Sequence, residues 1–389
     1  MIKPTTRPAR PYFSSGPCAK PPGWAPDQLN TDVLGRSHRS GLGKQRLKLC
    51  IDLMRELLAL PDTHRVGIVP GSDTGAFEMA MWTMLGARGV TCLAWESFGE
   101  GWVTDAVKQL KLDPAVIRAD YGQLPDVAHV DWTHDVLFTW NGTTSGVRVP
   151  DADWIPATRD GLSFADATSA VFAYPIDWAK IDVATFSWQK ALGGEGGHGV
   201  LILGERAVAR LESFTPDRPL PKIFRLTSKG KLIEGIFSGE TINTPSMLAV
   251  EDAIVALEWG KSIGGLDGMI ARTAANAAAL DRVVEERDWL DYLAPDPASR
   301  SKTSVCLTLA GADADRIKRF VKLLETEDVA YDIAGYRDAP PGLRIWCGAT
   351  VDAADIEALG PWLDWAWEIT LSPSGDREEP QSGEGRGGG

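Results

Sequence analysis

Strands alternating with helices along most of the chain predict an α/β fold: a large, doubly wound, mostly parallel sheet domain followed by a smaller α+β C-terminal domain. Two observations carry this. Between 66 and 203, short apolar runs of β-branched and aromatic residues each lead into a polar or glycine-rich turn, with helical patterns between several of them. After Thr241-Ile-Asn-Thr-Pro-Ser246 the pattern changes to long helices, and a short alternation of strands and helices follows. A length of 389 residues exceeds the usual single core, so two domains are expected, with the boundary near Gly264-Gly265. The division is an N-terminal arm at 1–16 packing with the small domain, a large domain at 17–264, a small domain at 265–371 and a disordered tail at 372–389.

Each element has its own justification. Phe13-Ser-Ser-Gly-Pro17 reads as an arm or turn, being rich in glycine and proline. After the polar loop Leu34-Gly-Arg-Ser-His-Arg-Ser40, residues 44–60 place Leu47, Ile51, Leu53, Met54, Leu57 and Leu58 at helical spacing. A strand at 66–69 runs into Pro70-Gly-Ser-Asp-Thr-Gly75 and a helix at 76–85. That strand, glycine loop and helix suit either an anion at the helix start or a simple cap by Ser72 or Asp73. Next come a strand at 91–95 and a helix opening at Phe98-Gly-Glu-Gly-Trp102, where Trp102 is core packing or a stacking platform. The strand at 135–140 ends in the hydroxyl-rich turn Asn141-Gly-Thr-Thr-Ser-Gly146. Strands at 162–166, 181–187 and 198–203 follow, then helices at 247–262 and 266–287. The last part gives strands at 304–309 and 343–347 and helices at 312–324 and 353–367. The tail has no core formers.

Composition removes several classes of function. A hydrophobic share of 44% is ordinary for a globular chain, and no apolar run reaches membrane-spanning length. The start lacks an apolar signal region, so a cytoplasmic location is expected. Five scattered cysteines argue against a disulfide framework and against a zinc site, and no metal is expected. A net charge of −13 makes nucleic acid an unsuitable partner.

One segment asks for chemistry. In Phe186-Ser-Trp-Gln-Lys190-Ala-Leu-Gly-Gly-Glu-Gly-Gly-His-Gly-Val200, a lysine sits just past a strand and before a glycine cluster. The preceding strand also ends on a charge, Asp166. The two could form a strand-end ion pair. On spacing alone that is the commoner arrangement; the glycine cluster favours instead a pyridoxal phosphate site, in which the amine makes a Schiff base and the carboxylate holds the pyridinium N–H.

With Lys190, Asp166 and the arm at 13–17 in hand, the chain resembles the phosphoserine aminotransferase family, class V, fold type I enzymes that use pyridoxal 5'-phosphate. The resemblance covers nearly the whole length. It is most specific at 13–17, Ser37-His-Arg-Ser40, Asn141-Gly-Thr143 through Gly146, Asp166-Ala-Thr-Ser169, Gln189-Lys190 and Asn243-Thr-Pro245. It implies that Lys190 is the Schiff-base lysine, that Asp166 pairs with the pyridine nitrogen, that Thr143 bonds the phenolic oxygen and that Trp102 stacks on the ring. The cofactor phosphate would be held by the N–H groups of Asp73 and Thr74, by Gln189, and by Asn243 and Thr244 of a second subunit, which implies a homodimer. His38 and Arg39 match the family's substrate-phosphate pair, Arg344 matches the arginine that grips the α-carboxylate, and Arg337 falls close to a second His-Arg pair of the family. Thr74 and Tyr336 stand where many members have arginine and histidine.

The implied reaction is reversible amino transfer between L-glutamate/2-oxoglutarate and 3-phosphohydroxypyruvate/O-phospho-L-serine in serine biosynthesis, with phosphohydroxythreonine of pyridoxal phosphate biosynthesis a related family role. The alternatives are another class V activity, such as an alanine–glyoxylate transaminase or a cysteine desulfurase, and a nucleotide-binding module without chemistry. Cys306 and Cys347 lie in apolar strand patterns, which argues against a desulfurase.

Overall fold

The computed structural model describes residues 2–371; the segment expected to be a disordered tail lies outside the described residues. The chain begins as an extended arm. It then forms α1 (Gly41–Leu57), β1 (Arg65–Pro70), α2 (Ser72–Met84), β2 (Val90–Ala94), α3 (Ser97–Thr104), β3 (Ala115–Arg118) and β4 (Asp135–Thr139). A small hairpin, β5 (Asn141–Gly142) and β6 (Val147–Arg148), precedes β7 (Ser163–Asp166), β8 (Val183–Ser187), β9 (His198–Leu203) and α4 (Glu205–Ser213). A second hairpin, β10 (Thr227–Ser228) and β11 (Lys231–Leu232), leads to α5 (Met247–Ser262) and α6 (Gly265–Glu285). The remainder is β12 (Leu290–Tyr292), β13 (Ser304–Leu309), α7 (Ala314–Thr326), β14 (Leu343–Trp346) and α8 (Ala353–Ile369).

Seven strands form the main sheet in the order β1-β9-β8-β7-β4-β2-β3. β9 runs antiparallel to both of its neighbours, and the pairs β8/β7, β7/β4, β4/β2 and β2/β3 are parallel. The expected doubly wound, mostly parallel sheet is therefore present. Apart from the edge strand β3, the strands are buried on both faces. Val136, Phe138, Ala165, Ala184 and Phe186 join a cluster with α1 and α5, while Leu137, Phe164 and Val183 join one with α2, α3 and α4. β12, β13 and β14 make a separate antiparallel sheet. The expected helix at 76–85 starts earlier, at Ser72, because Gly71 takes φ +87° and turns the chain directly into it. Seven elements were absent from the sequence reading: β3, α4, β12 and the two-residue hairpin strands β5, β6, β10 and β11. Of these β3 is an edge strand whose residues are partly or fully exposed, so it carries little apolar signal.

The two ends of the parallel strands are built differently. At the amino ends, ion pairs lock the layers. Asp135 is fully buried and takes both Arg210 nitrogens from α4 at 2.7 and 3.1 Å, and its Oδ1 also accepts from Leu162 N at 2.9 Å. Asp182 accepts from Arg159 at 2.8 Å, Arg206 at 3.0 Å and Ser163 N at 2.9 Å. Near the carboxyl ends, the hydroxyls of Thr139, Thr185 and Ser187 are unpaired instead.

Removing one partner of a buried pair strands the other. Asp135→Ala should lower stability by about 3–5 kcal/mol, because the Arg210 guanidinium and the Leu162 N–H both lose their acceptor. A fall in the urea midpoint at unchanged slope checks this, and an unshifted midpoint contradicts it.

Candidate active site

Asp166 is the last residue of β7, lies opposite Thr139 of β4 and Thr185 of β8, and is buried. Its Oδ2 accepts from the Trp102 indole N–H at 3.1 Å and its Oδ1 from Thr168 N at 3.2 Å. Trp102 reaches it from the second turn of α3, buried and leaning on Phe77 with ring centroids 4.5 Å apart. The indole is thus both packing and a fixed donor.

Lys190 stands three residues beyond β8, in a turn held by Gly193 N to Lys190 O and Gly194 N to Trp188 O, both 2.9 Å. The N-terminal arm lies across it. Lys190 Nζ donates to Ser15 O, and Cys18 N donates to Gln189 O at 2.8 Å. At Gly16, φ is +146° and an added Cβ would sit 2.5 Å from Lys190 Nζ, so only glycine leaves the amine its place. Burial pushes the Lys190 ammonium below the usual lysine range. A Cys18 thiolate would oppose that shift, the Arg344 guanidinium reinforces it, and the Asp166 carboxylate opposes it. Cys18 itself is pushed up to about 12 by burial, so at neutral pH it is a neutral thiol.

The first turn of α2 faces the same edge. Gly75 N makes the first turn bond, to Gly71 O, which leaves the N–H groups of Asp73 and Thr74 at the open helix end. The Asp73 side chain is buried, and burial together with the adjacent Asp166 carboxylate holds its carboxyl well above the usual carboxylate range. Thr143, in the turn between β5 and β6, donates to Ser169 Oγ at 2.7 Å; Ser169 in turn donates to Asn141 O at 2.9 Å. Thr168, Thr185 and Ser187 hydroxyls and the Gln189 amide oxygen are buried without partners around these strand ends. A buried cradle lined by unsatisfied polar groups fits a polar, anionic ring cofactor and does not fit a packed core.

Arg344 comes from β14 of the small sheet. It is within electrostatic reach of Lys190 and Cys18, its Nε has no hydrogen-bond partner, and its guanidinium lies 5.6 Å from the Tyr336 ring. Arg337 lies the same distance from that ring, exposed and paired with Asp338 at 3.4 Å. The arm joins these parts, since Trp346 N donates to Phe13 O at 3.0 Å.

Four predicted residues lie elsewhere on the chain. His38 and Arg39 line a cavity of about 440 Å³ together with Lys222, Arg225, Glu240 and Thr241. Asn243 and Thr244 follow that wall and are exposed, and their hydrogen bonds stay within 241–244. Sequence reasoning missed Glu96, the Asp73 side chain, Ser169, Lys222 and Arg225. Glu96 alone carried a signal, a carboxylate just past an apolar strand, as at Asp166. Among the described residues no group of three or more His, Cys, Asp or Glu is placed to hold a metal.

Residues 107–337 match the model of the family described as Aminotransferase class-V. The chain is 57% identical to the phosphoserine aminotransferase of Methanosarcina barkeri over 369 residues, covering 95% of this chain and all of that one. It is 56% identical to that of Methanosarcina mazei over the same length. Among solved structures, a phosphoserine aminotransferase from Cytophaga hutchinsonii superposes with a TM-score of 0.80 at 22% identity, covering 92% of this chain and 98% of that one. An alanine–glyoxylate aminotransferase from Nostoc gives 0.78 at 18% identity, covering 94% and 97%.

In protein freed of small molecules, the pH dependence of Lys190 acylation should show an apparent pKa below the usual lysine range, because burial disfavours the ammonium form and the proton leaves at lower pH. Peptide mapping after pulsed acylation reads the site. An apparent pKa within the usual lysine range contradicts the assignment.

Proposed function

The chain belongs to the phosphoserine aminotransferases of the class-V aminotransferase family, and from that membership we propose how its residues divide the reaction. It is a pyridoxal phosphate enzyme that moves an amino group reversibly between L-glutamate/2-oxoglutarate and 3-phosphohydroxypyruvate/O-phospho-L-serine. The observation that carries the roles is the convergence of an amine and a carboxylate, Lys190 and Asp166, at adjacent strand ends, with a buried indole bonded to the carboxylate. The alanine–glyoxylate reading rests on a likeness of fold alone. All five cysteines are buried, which leaves a desulfurase without its exposed thiol.

When bound, pyridoxal phosphate supplies the electron sink that makes the substrate Cα proton removable. Asp166, held by Trp102 and Thr168 N, would hold the proton at the pyridine nitrogen. Trp102 would cover the ring, and Thr143, which is bonded to Ser169, would lie at the phenolic oxygen. The Asp73 and Thr74 N–H groups and the Gln189 amide would hold the cofactor phosphate. Lys190, with its ammonium form disfavoured by burial, would take the Cα proton at Nζ and return it. Arg344 forks the α-carboxylate common to every substrate, and Arg337 stands at the rim beyond Tyr336.

His38 and Arg39 serve the distal phosphate, and Asn243 and Thr244 the cofactor phosphate, of a neighbouring subunit. What supports this is that His38 and Arg39 line one cavity with Lys222 and Arg225, that the exposed Asn243 and Thr244 directly follow its lining residues Thr241 and Ile242, and that the side-chain hydrogen bonds of 243 and 244 stay within 241–244. Lys222 and Arg225 supply positive charge that Thr74 and Tyr336 do not. A homodimer follows. The same proposal includes a cytoplasmic location and a division into a large unit at 17–264 and a small unit at 265–371, with the arm at 1–16 on the small unit. No helix among the described residues is long and apolar enough to cross a membrane.

Arg39→Ala should lower kcat/KM for phosphoserine by at least roughly tenfold, about 1.4 kcal/mol, and affect glutamate less, because phosphoserine carries the greater distal charge. An unchanged preference for phosphoserine over alanine moves the phosphate pocket away from Arg39. The subunit assignment has its own test. Neither the Lys190→Ala nor the Arg39→Ala homodimer should turn phosphoserine over well, whereas a purified dimer of one chain of each should recover about half the wild-type rate, having one intact site. A mixed dimer no better than the Arg39→Ala homodimer places Arg39 in its own chain's site.

A further inference from the structure

Glu96 is a buried carboxylate, 2% exposed, that none of the roles above uses. It stands where β2 has ended and α3 begins. Its Oε1 accepts from Gly99 N at 2.7 Å, which caps α3. Its Oε2 accepts from Thr144 Oγ1 at 2.8 Å, and that hydroxyl accepts in turn from Ser97 N at 3.2 Å. One carboxylate therefore fastens the first turn of α3 to the turn between β5 and β6. The junction is tight, since a Cβ at Gly142 would sit 2.5 Å from Trp95 Nε1 and 2.8 Å from Glu96 Cγ. Trp95 Nε1 closes it further along by donating to Val147 O at 3.2 Å.

A cap alone does not call for a buried acid. Serine, threonine or aspartate caps a helix without taking a long carboxylate out of water. Here burial raises the Glu96 pKa to about 7 against the bonds from Gly99 N and Thr144. What a glutamate adds is reach from the helix to the turn. Each of those segments carries a residue of the cofactor site: Trp102 lies on α3 with its indole on Asp166, and Thr143 precedes Thr144 in the turn.

We infer that Glu96 is a positioning residue for the cofactor ring, tying α3 to the β5–β6 turn so that the Trp102 indole and the Thr143 hydroxyl keep a fixed separation. The inference rests on the proposed roles of Trp102 and Thr143. A protein lacking the tie should still fold around its sheet, because the locks at Asp135 and Asp182 lie at the other ends of the strands.

The test uses the purified full-length enzyme, titrated with pyridoxal phosphate and followed by visible circular dichroism, which reports how rigidly the ring is held. Glu96→Ala should weaken cofactor binding at least roughly tenfold and reduce the ring's dichroic signal. Glu96→Gln should restore most of both, since its amide oxygen still accepts from Gly99 N–H and its NH2 can donate to Thr144 Oγ1. Thr144→Val cuts the other end of the tie and should move the same readouts in the same direction, so the question stays answerable if Glu96→Ala does not fold. Wild-type affinity and dichroism in Thr144→Val, or in a folded Glu96→Ala, overturn the inference. Equal damage in the Gln and Ala variants also overturns it. Trp102→Ala and Thr143→Ala binding cofactor with wild-type affinity and dichroism would instead remove the reading beneath it, and the two failures are distinguishable because they appear in different variants.

Discussion

Holding one amine out of water beside a carboxylate requires that everything around Lys190 be fixed by groups other than the amine. The arm supplies much of this. Ser15 O accepts a hydrogen bond from the amine, Gly16 leaves room for it, and an added Cβ at Gly193 would lie 2.2 Å from Ala19 O. Behind them, the buried Asp252 of α5 accepts from Lys20 Nζ and Glu195 N, both at 2.8 Å, so the arm and the glycine loop after Lys190 share one anchor. The arm also reaches the small sheet, through Tyr331 N to Pro11 O at 2.9 Å and Trp346 N to Phe13 O at 3.0 Å. Arg344 is therefore registered against Lys190 by backbone, where a one-residue slip would turn its side chain to the other face.

The main sheet separates stability from chemistry along the strand direction. At the amino ends, buried aspartates are paired with arginines and backbone donors. At the carboxyl ends, Asp73, Thr168, Thr185, Ser187 and Gln189 leave polar atoms buried without partners. Such atoms cost free energy in a protein that only had to fold, on the order of 1–3 kcal/mol for each lost partner. Their concentration at one edge is what a site for a polar ligand looks like before any ligand is considered. Parallel strands gather these residues because each βα connection leaves the sheet at that edge.

Charge is distributed by the same logic. The chain is acidic overall, yet cationic side chains lie together at two places of interest: Arg337 and Arg344 around Tyr336, and Arg39, Lys44, Lys222 and Arg225 in the cavity that His38 also lines. In the first, Arg344 lies within electrostatic reach of Lys190. The second lines a cavity whose lining residues Thr241 and Ile242 lead on into the exposed Asn243 and Thr244.

Much of this was legible in the sequence because it is local. Periodicity located most strands and helices to within a few residues, and the strands at 198–203 and 304–309 and the helix at 247–262 have the expected bounds. Asp166 and Lys190 could be singled out because a charge at the end of an apolar strand stands out in one dimension. The strand order, the antiparallel insertion of β9, and the meeting of Gly16 with Lys190 across more than 170 residues could not be read this way, since they depend on which surfaces bury one another. Glu96 shows the limit most clearly. Its neighbours in sequence predict a helix cap, and only packing against Thr144, 48 residues on, makes the same carboxylate a tie between two walls of one site. Sequence determined which residues could do chemistry, through their type and their place at element ends; tertiary structure decided which of them are held out of water together, because burial and hydrogen-bond partnership are properties of contacts the chain makes only when folded.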